Sequence, residues 1–199
     1  MLLCYNAAMH ILLLDLPARL ETPRLSLRPY AAGDGLMYYA AAERNRDHLI
    51  PYEAKNPLVS LRSEEEAEVC IRRMALDFAA RERFFWGAFL RETGAWAAQV
   101  YVGVVSWERP EFEIGYIADV GRQGYGYVTE ATRAVIAWAF GSLGAERLRL
   151  NCDANNVRSQ RTAERCGFTL EGRLRCDHRW PDGSITDTLL YGLLREEWI

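Results

Sequence analysis

The residues best placed to do chemistry begin with GRQGYGYVTEAT, Gly121 to Thr132. They lie between a strand-like run, FEIGYIADV, and a helix-like run, EATRAVIAWAF. Glycines at such a junction let backbone approach a ligand closely. The free N–H groups and the dipole at a helix start then favour phosphate. A dinucleotide would ask for G-x-G-x-x-G, but in the stretch from Gly124 the third glycine is replaced by Thr129. Three strands reading as antiparallel precede the loop, and only Asp153 could serve as the acid expected about twenty residues on. A triphosphate loop needs Gly-Lys-Ser/Thr, which is absent. Gln123, Gly124, Tyr125, Gly126, Tyr127 and Val128 fit a third arrangement better, with successive backbone N–H groups surrounding a diphosphate and Gly126 allowing its approach.

A second chemistry-bearing stretch is NNVRSQRTAERCGF, Asn155 to Phe168, which reads as a short helix capped by Asn156 and stopped by Gly167. The cysteines at 4, 70, 152, 166 and 176 show no C-x-x-C pair and no matching histidine spacing. No metal is expected, and the thiols read as reduced, small buried residues.

Around these stretches, RLSLRPY (Arg24 to Tyr30) alternates as a half-buried strand does. A helical stretch comes next and stops near Pro51. SEEEAEVCIRRMALDFAARER (Ser63 to Arg83) is an amphipathic helix with Ser63 as cap, Glu66 at the reciprocal capping position and acids in its first turn. FFWGAFL, the turn RETG and AWAAQVYVGVVSW form a hairpin, with EFEIGYIAD as a third strand. The loop then launches a helix from about Thr129 to Phe140, closed by Gly141 and Gly144. RLRLNCD is a strand, and FTLEGRLRCDHRW, PDGS and ITDTLLYGLLREEW form a terminal hairpin. The order predicts one mixed α/β (α+β) domain of about seven strands and four helices, with residues 1–19 as an extension and 20–199 as the domain.

At 199 residues, half of them apolar, the chain suffices for one buried core. A net charge of −3 argues against a nucleic-acid partner. The N-terminus lacks the positive region and cleavage pattern of an export signal, and no run reaches the ~18 apolar residues of a membrane span. Met9 could serve as start as well as Met1. A cytoplasmic protein without membrane attachment is expected.

The loop from Gln123 to Val128 resembles the pyrophosphate loop Q/R-x-x-G-x-G/A of the GCN5-related N-acetyltransferases (GNAT), which also follows the fourth strand and feeds a helix. Val128 departs from the small residue usual in the last slot. Asn156, Ser159, Gly167 and Phe168 resemble the family's N-x-x-S/A…G-F segment, one strand later. RLSLRPY, ERNRDHLIPYE, the EIGY strand, GYGYVTEA and EGRLR…DGSITD…LLYGLL resemble the RimJ/RimL branch over Leu20 to Trp198. The resemblance implies a GNAT acyltransferase fold and acetyl-CoA as co-substrate. It implies direct transfer to an amine: a protein N-terminus, or alternatively a small amine or antibiotic. A CoA-binding module without catalysis is the reading from another class. Dimers are common in the family, so a homodimer is a further expectation.

That chemistry needs a neutral amine, donors for a developing oxyanion and a way for the thiolate to leave. An α-amine with a reference pKa of about 7.7–8.0 is roughly one-tenth neutral at pH 7, so the first demand is mild. The resemblance assigns the base to Glu113, with Glu111 less well placed. It assigns the oxyanion donors to backbone N–H groups near Tyr116, Ile117 and Ala118, where the family's sheet splays, and Asn156 to cofactor contact as well as capping. Many members carry a tyrosine acid seven residues after the asparagine; here that slot holds Ala163. Ser159 is left to stabilise the thiolate. His178 in the terminal hairpin, and Tyr30, Tyr38, Tyr39, Tyr52 and Trp86, are weaker candidates for the acceptor side, as are the acids Glu43, Asp47 and Glu53.

Overall fold

The structure, a computed structural model, describes residues 10–53, 56–180 and 182–198. Cys4 and the choice between Met1 and Met9 lie outside them. Its elements are β1 (Leu20–Glu21), β2 (Leu25–Pro29), α1 (Gly35–Glu53), α2 (Pro57–Ser60), α3 (Glu64–Ala80), β3 (Arg83–Leu90), β4 (Trp96–Ser106), β5 (Glu111–Ala118), α4 (Tyr127–Ser142), β6 (Arg147–Asp153), α5 (Val157–Arg165), β7 (Thr169–Arg179) and β8 (Ile185–Leu194). The strands form one sheet in the order β1-β2-β3-β4-β5-β6-β8-β7. Every neighbouring pair is antiparallel except β5 and β6. The expectation of about seven strands and four helices is met, with two additions. These are the two-residue β1 and the four-residue α2, both too short to carry a periodic signal. Among the described residues no helix is long and apolar enough to cross a membrane.

Each face of the sheet has its own core. On one, α4 packs through Ala131, Val135, Ile136 and Trp138 against Phe84, Trp86, Val100 and Phe112. Phe84, Trp86 and Phe78 meet the Trp138 ring with centroids 5.2, 5.1 and 6.4 Å away, contacts worth roughly 0.5–1.5 kcal/mol each beyond area burial. On the other face α1 and α3 pack through Tyr38, Leu49, Ile71 and Met74 against Phe85, Phe89, Trp96 and Ile117. β3 and β4 are therefore buried on both sides, and they read as near-continuous apolar runs.

The helix ends follow local chemistry with instructive shifts. Ser63 Oγ accepts from Glu66 N at 3.1 Å, but Glu66 reaches back to Arg62 N (2.7 Å) rather than to Ser63. α4 starts at Tyr127 and runs through Gly141 to Ser142, two residues longer at each end than its glycines imply; Gly144 (φ +69°) makes the turn. α1 continues past Pro51 to Glu53, because a proline in the last turn forfeits one backbone bond without unwinding the two residues beyond it. Cys152 and Cys166 are buried as expected, whereas Cys176 is exposed on β7 at φ +53°.

Candidate active site

β5 and β6 are hydrogen-bonded neighbours only through Glu111↔Arg147, Phe112↔Leu148 and Glu113↔Arg149. Beyond Glu113 the strands part, and a cleft of about 1050 Å³ opens between them. The split exposes particular backbone groups. Asp119 N donates to Ala97 O at 2.9 Å, so alternation along the antiparallel β4–β5 pair turns Ile117, Gly115 and Glu113 toward β4. Tyr116 and Ala118 are left with N–H and C=O directed at the opening. Of the three positions expected to donate there, Ile117 contributes an apolar side chain to the wall rather than an amide.

The loop after β5 is held from behind by α1. Asp119 caps the turn at Val120–Arg122 by accepting from Gly121 N (2.9 Å), and Arg44 pairs with the same carboxylate at 2.8 Å. Fully buried Asn45 accepts from Val120 N at 2.7 Å. Gly124 (φ +84°) and Gly126 (φ +78°) then take the left-handed conformations that a side chain resists. Gly126 is the N-cap of α4 and offers no side-chain cap. Among the described residues, none of the amides from Gln123 to Thr129 donates to a protein acceptor. A helix start left open in this way concentrates donors and positive dipole on one spot.

α4 itself is pinned. Glu130 accepts from Thr22 Oγ1 (2.6 Å), Arg24 N (3.0 Å) and Arg24 Nε (2.6 Å). Burial works against its charge, yet these bonds hold the carboxyl below its usual range. Val128, the larger residue in the last slot of the loop, lies in the cleft wall.

Across the cleft, Asn156 caps α5 by accepting from Ser159 N at 3.1 Å. Ser159 Oγ donates to the Tyr116 hydroxyl at 3.3 Å, and that hydroxyl donates to Ser159 O at 2.8 Å. Burial pushes the Tyr116 phenol up, the bond from Ser159 offsetting part of the rise. The hydroxyl of Ser159 is thus fixed by a β5 side chain rather than by local backbone. Ala163, in the slot of the family's tyrosine, is fully buried in the core. Arg158, Arg161 and Arg165 lie along one face of α5 and, with Arg122, place positive charge beside the open amides. Gln123 bridges the mouth: its Nε2 donates to His48 Nε2 at 2.6 Å, and its Oε1 accepts from Arg158. The imidazole is therefore neutral with its proton on Nδ1; burial and then the Arg158 charge lower its pKa.

Other expected residues fall elsewhere. Glu113 does not line the cleft; its carboxylate accepts from Arg149 Nε (3.2 Å) and Nη2 (3.0 Å) at the last β5–β6 pair. Glu111 pairs with Arg109 and Arg147, and Glu43 with Arg46. His178 packs edge-on against Trp180, 4.3 Å between centroids, away from the cleft. Tyr30, Tyr38 and Trp86 are core residues, and Tyr39 bonds Arg62 O. Tyr52 alone of the named aromatics reaches the cleft, beside Glu53 and His48 on the last turns of α1. Sequence reasoning passed over His48 and the phenol of Tyr116. It could have found the α5 arginines, whose spacing from 158 to 161 to 165 repeats at one helix turn.

A family model for the acetyltransferase (GNAT) domain matches residues 24–169. The uncharacterized N-acetyltransferase YoaA of Bacillus subtilis is 26% identical over 88% of this chain and 96% of its own length. The ribosomal-protein-serine acetyltransferase of Escherichia coli is 37% identical over 37% of this chain, a match spanning 44% of that protein. Among solved structures, ribosomal-protein-S5-alanine acetyltransferase from Vibrio fischeri superposes with a TM-score of 0.81 at 19% identity, covering 92% of this chain and all (100%) of that one. RimL, a ribosomal L7/L12 α-N-protein acetyltransferase in complex with coenzyme A, gives 0.79 at 20% identity over 89% of this chain and 96% of its own. The microcin C7 self-immunity acetyltransferase MccE, in complex with acetyl-CoA and AMP, gives 0.77 at 22% over 87% and 93%. With a split sheet, an open helix start beside it and a family model over most of its length, the chain belongs to the GNAT acetyltransferases.

Proposed function

We propose that the protein transfers the acetyl group of acetyl-CoA to the α-amine of a protein N-terminus. The observation that carries the reading is the run of unpartnered amides from Gln123 to Thr129, ringed by arginines and opening onto the β5–β6 split. Such a cradle fits a diphosphate by donor geometry, by dipole and by charge. The amides of Tyr116 and Ala118 face the split, where they would hold an extended arm or a carbonyl oxygen gaining negative charge. Bound there, acetyl-CoA supplies an electrophilic thioester carbon and a sulfur that departs readily, a thiol having a reference pKa near 8.5. Ser159, steadied by Tyr116, would then turn its hydroxyl to the departing sulfur, while Asn156 keeps the first turn of α5 in place. The E. coli and Vibrio fischeri relatives are named for ribosomal proteins, which favours a protein amine as acceptor.

Calorimetry with CoA and turnover of acetyl-CoA with a panel of N-terminal peptides and small amines test the reading. Micromolar CoA binding with turnover on peptides is expected. Turnover confined to small amines would replace the acceptor, and CoA binding without turnover on any amine would leave a silent binding module.

A further inference from the structure

Among the described residues that line the cleft, Glu53 is the one carboxylate. It sits on the last turn of α1. It shares the lining of the cleft with Ser159 of α5 and Tyr116 of β5. Glu53 and Ser159 therefore open onto one cleft from two different elements. We propose that Glu53 takes the proton from the acceptor amine. The proposal rests on the acetyl-transfer reading given above and names the base within it.

The neighbours leave Glu53 that role. His48 has its Nε2 lone pair occupied by Gln123 and its proton on Nδ1. The Tyr116 phenol is raised by burial. Cys152 is pushed up to about 11 by burial and stays a thiol at neutral pH. Asp153 is engaged by Trp180 Nε1 (3.2 Å) and Thr186, and Arg158 by Gln123. Glu113 is held by Arg149 outside the cleft. The Glu53 residue is exposed, yet the protein around its carboxyl displaces enough water to raise it to about 7; Asn56 opposes the rise, and no arginine among the described residues cancels it. A base poised there accepts a proton from an α-ammonium and releases it to the solvent that still reaches the side chain.

In the step itself, the ammonium gives one proton to the Glu53 carboxylate. The nitrogen lone pair freed by that loss forms the N–C bond to the acetyl carbon, and the C–S bond breaks with its electron pair on sulfur. The second amine proton goes to the thiolate, giving the amide and a free thiol, and Glu53 returns its proton to water.

Glu53→Gln keeps size and hydrogen-bonding capacity, so the test compares it with the wild type from pH 6.5 to 9.5. CoA affinity by calorimetry should stay within about twofold. Turnover should fall about tenfold at pH 7, where roughly a tenth of an α-amine is neutral, and the deficit should close to under about twofold by pH 9.5. Glu53→Asp should regain part of the rate at pH 7. A deficit of equal size at every pH, or none at all, overturns the proposal while CoA binding and wild-type turnover leave the acetyl-transfer reading standing. A wild type active only on small amines overturns the peptide acceptor and leaves the Glu53 deficit readable on those amines. A wild type active on no amine overturns both.

Discussion

At one end of the cleft the groups on offer are backbone amides, Gln123 to Thr129, ringed by Arg122, Arg158, Arg161 and Arg165. At the other they are side chains: Glu53, Tyr52 and His48 from α1, Tyr116 from β5 and Ser159 from α5. The first end is assembled from one short segment and recognises charge through geometry that almost any side chain would spoil. The second is assembled from three elements far apart in sequence, with one acid in place of several bases. A cleft polarised in this way can hold an anionic carrier at one end and receive a cationic amine at the other, and the two ends should fail differently when damaged.

Gly126→Asp tests that polarity with the largest effect. A Cβ there would meet only Arg24 Nη2, at 3.6 Å, and aspartate is a favoured N-cap, so the fold should survive despite the strain of φ +78°. The carboxylate would occupy the amide cradle and repel a diphosphate. CoA affinity should drop at least about 100-fold by calorimetry, close to 3 kcal/mol. Retention of affinity within about threefold would mean that the amide end does not hold the carrier.

The contrast also explains what the sequence disclosed. Gly124, Gly126, Asn156 and Gly167 announce themselves because each satisfies a local backbone demand, positive φ or an uncapped helix start, that few other residues meet. Glu53 and His48 carry no such mark. They reach the cleft because Asn45 and Arg44 clamp α1 against the loop after β5, a contact spanning 75 residues of sequence. The turn that bears Tyr52 and Glu53 also lies beyond Pro51, where the usual rule for helices ends the element. Glu113 shows the converse. Its strand is legible, but its partner is set by the parallel register Glu113↔Arg149, which no local pattern encodes. The missing tyrosine at Ala163 is legible as an absence, and the phenol that Tyr116 brings to Ser159 is not.

Ser159→Ala asks whether the second end acts on the reaction rather than on the carrier. A hydrogen bond to a developing thiolate is worth about 1.5–3 kcal/mol, so turnover should fall about 10- to 100-fold, with CoA affinity within about twofold. Tyr116→Phe should give a smaller loss of the same kind, since it frees the serine rotor without removing it. Equal losses in affinity and turnover would place Ser159 with the carrier end. Glu113→Gln sharpens the contrast further. The pair with Arg149 is more than a third exposed and worth about 0–1 kcal/mol, so turnover should change by less than about twofold at every pH. A fall of 100-fold in steady-state assays would return the base to β5 and take it from α1.

The smallest effect concerns stability, and it is the one that a charge in an awkward place should produce. In the unfolded chain a glutamate titrates near 4.3, whereas in the fold partial enclosure of its carboxyl raises Glu53 to about 7. The folded state therefore holds this proton more tightly than the unfolded state. Its stabilising contribution is complete below about pH 4 and is lost as pH rises through 7. Replacing the group by neutral glutamine removes that dependence, so Glu53→Gln should match the wild type in thermal melts at pH 4 and exceed it at pH 8. Solvent access to the side chain screens the charge and limits the gain to about 1 kcal/mol, or about 2–4 °C for a chain of this size. A variant more stable and yet slower at pH 7 would be the signature of an acid kept where it strains the fold for the sake of the reaction. If the difference in melting temperature is flat with pH, or reverses, the acceptor end is an ordinary hydrated surface and the polarity of the cleft belongs to its amide end alone.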